Sequence, residues 1–363
     1  MQNHSSRTRV AISIGLTGAL LLTIGCGGRT TPTTPPNTYL YVGGANNPFL
    51  DPPGTLVTGS IFQLRVESDG TLTAINTSTT GPNLRAFTTT VSPGNQYLLA
   101  SDDLMTEFAI GGDGTLQAPT SLGETGFAVA FAPNGQFAFL TNVINNTLDS
   151  YELSASGTLT PISTVATGWY PQFVVVDGSG RFAYTANEND DTISEYTVSA
   201  GGVLTVNGSA PSGGYTPNVL AISPAGFLYC GNANSGSLST FSIDASTGAL
   251  ALVDNFVMPQ GLGGAMWISF NPAGTYAYVG NLFEIAQFTV DGTTGILTSN
   301  GTTPMTSGAN WGGLDPSGKF FFTANGDGTV SQFAVSSTGT LIPNGSVSVG
   351  ADMVATILTF AQR

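Results

Sequence analysis

One recurring stretch constrains what this chain can fold into. Residues 181–204 read RFAYTANENDDTISEYTVSAGGVL. An aromatic-rich run ends in Asn and a polar hairpin tip, a second alternating run follows, and a Gly turn opens a third. FVVVDGSG, just upstream, adds another apolar run and a tight turn. Four short strands in about 45 residues are the sequence signature of one propeller blade. Copies cover residues 138–160, 227–251, 276–298 and 320–342. Asn closes the second strand at Asn142, Asn187, Asn232, Asn281 and Asn325. Two weaker copies, 39–73 and 96–117, carry Gly44 and Ser101 in that place and bring the total to seven.

The blades are expected to be four-stranded, with strands a to d running outward from the tunnel. Residues 39–43, 60–66 and 72–78 supply b, c and d of the first blade, which lacks strand a. The chain ends in MVATILTF, residues 353–360, a lone strand that fills the gap. Such closure removes the two edges an open array would expose. The predicted fold is therefore all-β, a seven-bladed propeller sealed by its C-terminal strand. The a-to-b turns carry Pro and Gly, as in DPSG at 315–318, and the c-to-d turns carry Gly-x-Leu, as at Gly114 and Leu116. Only 8% of residues are charged and Gly numbers 48, a composition of strands and tight turns.

The N-terminus reads differently. Residues 1–9 are basic and residues 10–25 apolar, too short to span a bilayer and suited to a secretory signal. The run ends in TIGC, which resembles a lipoprotein cleavage box with Cys26 as the lipidated residue. Residues 1–25 are thus expected to be a signal peptide, 26–37 a Pro/Thr-rich tether and 38–363 the propeller. The expected location is the cell envelope, with the protein exported and held to a membrane only through its lipid. Without the leader, six basic residues face 22 acidic ones, a net charge of −16. That excess argues against nucleic acid and anionic membrane surfaces as partners. His4, the only His, lies in the leader, and Lys319 is the only Lys. Ser-His-Asp, Cys-His and imidazole metal sites are therefore excluded from the rest of the chain, and no P-loop is present. Cys230, mid-strand in FLYCGN, reads as a buried apolar side chain.

The succession of apolar strand, S-P-x-G turn, aromatic-Y-x-x-N and T-G-x-L resembles the seven-bladed lactonase family, which includes 6-phosphogluconolactonase-like proteins. The resemblance covers residues 39–360, and propellers with YVTN-type repeats share much of the pattern. It implies the propeller fold and lactone hydrolysis. In that family one blade typically carries Pro-Arg-His early in strand a and Asn-Glu after strand b. This chain keeps Asn187-Glu188, but Pro171 is followed by Gln172 and Phe173. Glu188 is left as the one candidate general base, without the family's partners.

The d-to-a connections share a rim with the b-to-c tips. They hold Arg85, Trp169, Tyr170, Tyr215 and Asn218, with Asn310 and Asp352. Trp169 and Tyr170, between Gly168 and Pro171, suggest a stacking surface, and Arg85 is the one rim cation. Trp267 and Trp311 align with Phe173 and Val219 inside strand a and are expected to pack between blades. The Asn ring can be read as a polar ring for a ligand or Ca²⁺, or as turn chemistry, since Asn bonds its own backbone readily. No metal or cofactor is otherwise expected. Two functions compete: a binding module for a small organic ligand or an envelope protein, with degenerate catalytic residues, and a hydrolase of a neutral lactone using Glu188. The protein is expected to be a monomer.

Overall fold

The computed structural model describes residues 37–46, 58–82, 88–101, 105–123, 126–258, 264–281, 283–349 and 353–363. The chain divides after Pro35, and the first unit lies outside the described residues, as do Cys26, Arg85 and Asp352. The second unit is all strand and turn. Its strands form seven antiparallel sheets of four, and six of them are consecutive meanders. The seventh is composite: Met353–Gln362 pairs with Thr38–Asn46, followed by Thr58–Val66 and Leu72–Pro82. Leu40 faces Phe360 and Thr38 faces Gln362. The lone C-terminal strand is strand a of blade 1, as its sequence predicts. Each innermost strand touches the innermost strand on either side, and the cycle of contacts closes.

The recurring motif residues meet across blades rather than within one. Strand b of blade 1 carries Tyr39 and Tyr41, and strand c carries Gln63. Tyr39 lies flat on Gly114 of blade 2, so close that a Cβ there would sit 2.3 Å from the ring. Gly114 also has φ +80°, which only Gly adopts without strain. The Tyr41 hydroxyl donates to the Gly114 carbonyl at 2.8 Å, and the Leu116 N–H donates to Gln63 Oε1 at 2.8 Å. The same three contacts join blade 4 to blade 5: Phe182 on Gly248, Tyr184 to the Gly248 carbonyl, and Leu250 to Glu195. Tyr276, Tyr278 and Gln287 repeat them between blades 6 and 7. The aromatic-x-Tyr of one blade thus recognises the Gly-x-Leu of the next. Burial raises the Tyr229 phenol, which makes the equivalent bond to Gly295, to about 12, so it remains a donor.

Candidate functional site

The rim of blade 4 is built from strand a (Pro171–Val176) and strand b (Phe182–Asn187). Pro171 faces Asn187 and Phe173 faces Ala186, so Gln172 is the extra residue of a β-bulge. A bulge re-aims its side chain. Here Gln172 Nε2 donates to Oε2 of Glu188, the first residue past strand b. The Glu188 N–H donates to the Tyr170 carbonyl at 3.0 Å. Gln172 stands where the resemblance predicts Arg, and it holds the carboxylate with an amide instead of a cation. Among the described residues, no His, Lys or Arg side chain bonds Glu188.

The same bulge recurs in blades 5 and 7, where Asn218 and Asn310 are the extra residues. Gln172, Asn218 and Asn310 therefore occupy equivalent places on the inner rim. The Asn310 amide donates to the Ala355 carbonyl of blade 1 at 2.8 Å. Asn218 Oδ1 is buried and has no hydrogen-bond partner, an acceptor left for something else to satisfy.

Just inside the bulges lies a contact the sequence reading missed. Phe173 of blade 4 and Trp311 of blade 7 stack with ring centroids 6.1 Å apart and planes 22° from parallel. Two innermost strands three blades apart can meet only across the central channel. Trp311 packs between neighbouring blades as expected, against the cores shared by blades 6, 7 and 1, and it also reaches across the axis. Trp267 packs as expected too, fully buried against Gly280, Gly312 and Phe321. Phe173 and Trp311 are both half-buried, and Phe173 directly follows Gln172 in its strand.

The d-to-a loops carrying Trp169, Tyr170 and Tyr215 are held on strained backbone. Tyr170 has φ +63° and Thr216 φ +60°, each immediately before a Pro. Left-handed geometry in a non-Gly residue costs about 1 kcal/mol or more. Each N–H is captured by the preceding blade: Tyr170 by Asn146 Oδ1 and Thr216 by Asp191 Oδ1, both at 2.8 Å. Trp169 and Tyr215 are left exposed, and Tyr170 is half-buried.

Asn187 is fully buried and serves the blade itself. Its amide donates to Thr192 Oγ1 at 3.0 Å and Ser194 Oγ at 2.8 Å, which fixes the strand end that carries Glu188. Asn232 and Asn325 make the same pair of bonds. Asn142 and Asn281 instead cap their hairpins through Oδ1. Among the described residues, no three His, Cys, Asp or Glu side chains are grouped to hold a cation. Cys230 is wholly buried, and burial pushes its thiol well above the ordinary range.

Fold and rim together define a closed seven-bladed propeller that presents the Gln172–Glu188 pair on one face. A family model described as "Lactonase, 7-bladed beta-propeller" matches residues 88–270. The chain belongs to that family. Solved structures agree on the fold. A putative 6-phosphogluconolactonase from Bacteroides fragilis has TM-score 0.74 at 19% identity, over 91% of this chain and 99% of its own. The periplasmic gluconolactonase of Pseudomonas aeruginosa has TM-score 0.67 at 19% identity, over 89% and 99%. A functionally unknown protein from Desulfotomaculum acetoxidans has TM-score 0.71 at 14% identity, over 90% and 99%. No curated protein sequence matches the chain.

Proposed function

We propose that the protein is an exported hydrolase of uncharged lactones in which Glu188 is the general base. The observation that carries this reading is the match of residues 88–270 to the lactonase family model, in a chain that keeps Glu188 just past strand b of blade 4. A flat lactone ring stacks on the aromatic pair with its carbonyl carbon near the carboxylate. Glu188 takes a proton from water as the water oxygen bonds to that carbon. Collapse of the tetrahedral intermediate breaks the ring C–O bond, and the proton returns to the leaving alkoxide. Asn218 Oδ1, buried without a donor, suits a substrate hydroxyl.

Family membership supports the reaction class, and the likeness to a periplasmic gluconolactonase supports an exported enzyme on a neutral substrate. A phosphorylated substrate fits worse, because among the described residues no cation lies at Glu188. Export rests on the leader, and TIGC makes Cys26 the lipid attachment point. Wild-type protein should then partition into the detergent phase of a detergent split and Cys26→Ser into the aqueous phase. Aqueous partition of the wild type rejects the anchor.

A second reading, a binding module, is favoured by one observation: among the described residues the carboxylate is bonded by an amide and by no cationic side chain. A panel of aldono- and alkyl-lactones separates the two. The wild type should hydrolyse at least one, and Glu188→Gln should lower that rate by about 10²–10⁴. Undiminished turnover in the variant would rule out this site. Quenching of Trp311 fluorescence by lactones without any turnover by the wild type selects the binding module.

A further inference from the structure

Four large apolar side chains stand out from one face of the ring. Ile144 is 80% exposed, Trp169 60%, Tyr215 66% and Phe283 61%. They come from blades 3, 4, 5 and 6 in succession, on b-to-c tips or d-to-a connections, which topology puts on the same side. Each is fixed at its own backbone. The N–H of Ile144 donates to Asn142 Oδ1 at 3.1 Å, that of Tyr215 to Ser235 Oγ at 3.0 Å, and that of Phe283 to Asn281 Oδ1 at 2.7 Å. The Trp169 N–H donates to Asp190 Oδ2. Exposed apolar groups on a pinned backbone lose little freedom when covered, which favours binding. Beside Trp169 a groove of about 520 Å³ opens between blades 3 and 4, lined by Ala166, Gly168, Asp190 and Val206 among others.

Both faces carry acids, and the turn side holds seven (Glu67, Asp69, Asp113, Asp177, Asp244, Asp291 and Asp315), but among the described residues only the turn side also carries cations that offset them. Glu188, Asp190, Asp191, Glu284 and Asp327 lie on the b-to-c tips. The cations among the described residues, Arg65, Arg181, Lys319 and Arg363, all sit at the a-to-b and c-to-d turn side. An acidic apolar face complements a basic apolar partner and repels anionic lipid and phosphate. The arc spans four blades, more than a single small ligand covers.

We propose that this face docks a segment of a partner protein in which Lys or Arg alternate with large apolar residues. The segment crosses Trp169 and Tyr215, and its cations meet the acids of the hairpin tips. This goes beyond the lactonase reading and does not depend on Glu188 acting as a base.

A short synthetic peptide alternating Arg and Leu serves as probe, titrated against the propeller while tryptophan fluorescence and heat are recorded. It should bind with an affinity that falls as salt rises. Trp169→Ala combined with Phe283→Ala should weaken it about tenfold or more, with the melting temperature unchanged. Leu252→Ala with Val257→Ala, exposed apolar positions on the outer strand of blade 5, should leave the affinity as it was. No binding by the Arg peptide overturns the proposal. Equal binding of a Glu/Leu peptide or an uncharged glucan also overturns it, as does an affinity that survives the Trp169/Phe283 pair.

Discussion

At the scale of single residues, the seams between blades show what one substitution changes. Gln63, Glu195 and Gln287 occupy one place on strand c, and each accepts the N–H of the next blade's Leu. Glu107 has the same place in blade 2, packed against Gly157 with Oε2 buried and unpartnered. Burial raises its carboxyl to about 7. The folded state therefore binds a proton more tightly than the unfolded chain. Stability from this group is greatest below the ordinary carboxyl range near 4.5 and is lost as pH rises toward 7. Glu107→Gln should raise the melting temperature at pH 8 and flatten the decline between pH 5 and 8. An unchanged slope in differential scanning calorimetry would show that Glu107 does not set it. The sequence announced Asn187-Glu188 because two adjacent letters carry that pair. It could not announce the stacking of Phe173 on Trp311, since only the ring's radius decides which residues of opposite blades meet. Nor did it reveal that Gln172, being bulged, turns toward Glu188.

Among the elements, the c-to-d turn is what one blade offers its neighbour. Gly248 has φ +77°, and a Cβ there would lie 2.2 Å from the Phe182 ring. Gly248→Ala should cost about 2 kcal/mol or more, as a lower denaturant midpoint with an unchanged m-value. Gly178→Ala, in an a-to-b turn with open space around it, is the matched control and should be near neutral. Equal effects of the two would mean that the ring over Gly248 is not the cause. Strands and turns were legible because alternation and Gly-x-Leu are local signals. Their pairing across blades was not, because Tyr184 and Gly248 lie 64 residues apart. The bulges were equally hidden: Pro171-Gln172-Phe173 and Pro217-Asn218-Val219 read as ordinary strand starts.

For the whole molecule, stability depends on a ring without open edges. Deleting residues 353–363 removes strand a of blade 1 and bares Thr38–Asn46 along its length. It also takes away Phe360, which packs against Phe322 of blade 7. The truncated chain should aggregate or melt far below the parent. A monodisperse truncation with an unchanged melting temperature would contradict closure by this strand. The intact ring ends where it begins. The Asn37 N–H donates to the Arg363 carbonyl at 2.7 Å, and the Arg363 N–H returns the bond to Asn37 at 2.9 Å. The domain is therefore a band cut once, and the cut falls inside a blade. Residues 37 and 363 are near enough to be joined by a short linker, and six further turns on the same side offer places to reopen the chain. Which blade comes first is a property of the reading frame. The folded ring has no preferred starting point, and a permuted chain could begin at any blade without disturbing the face that holds Glu188.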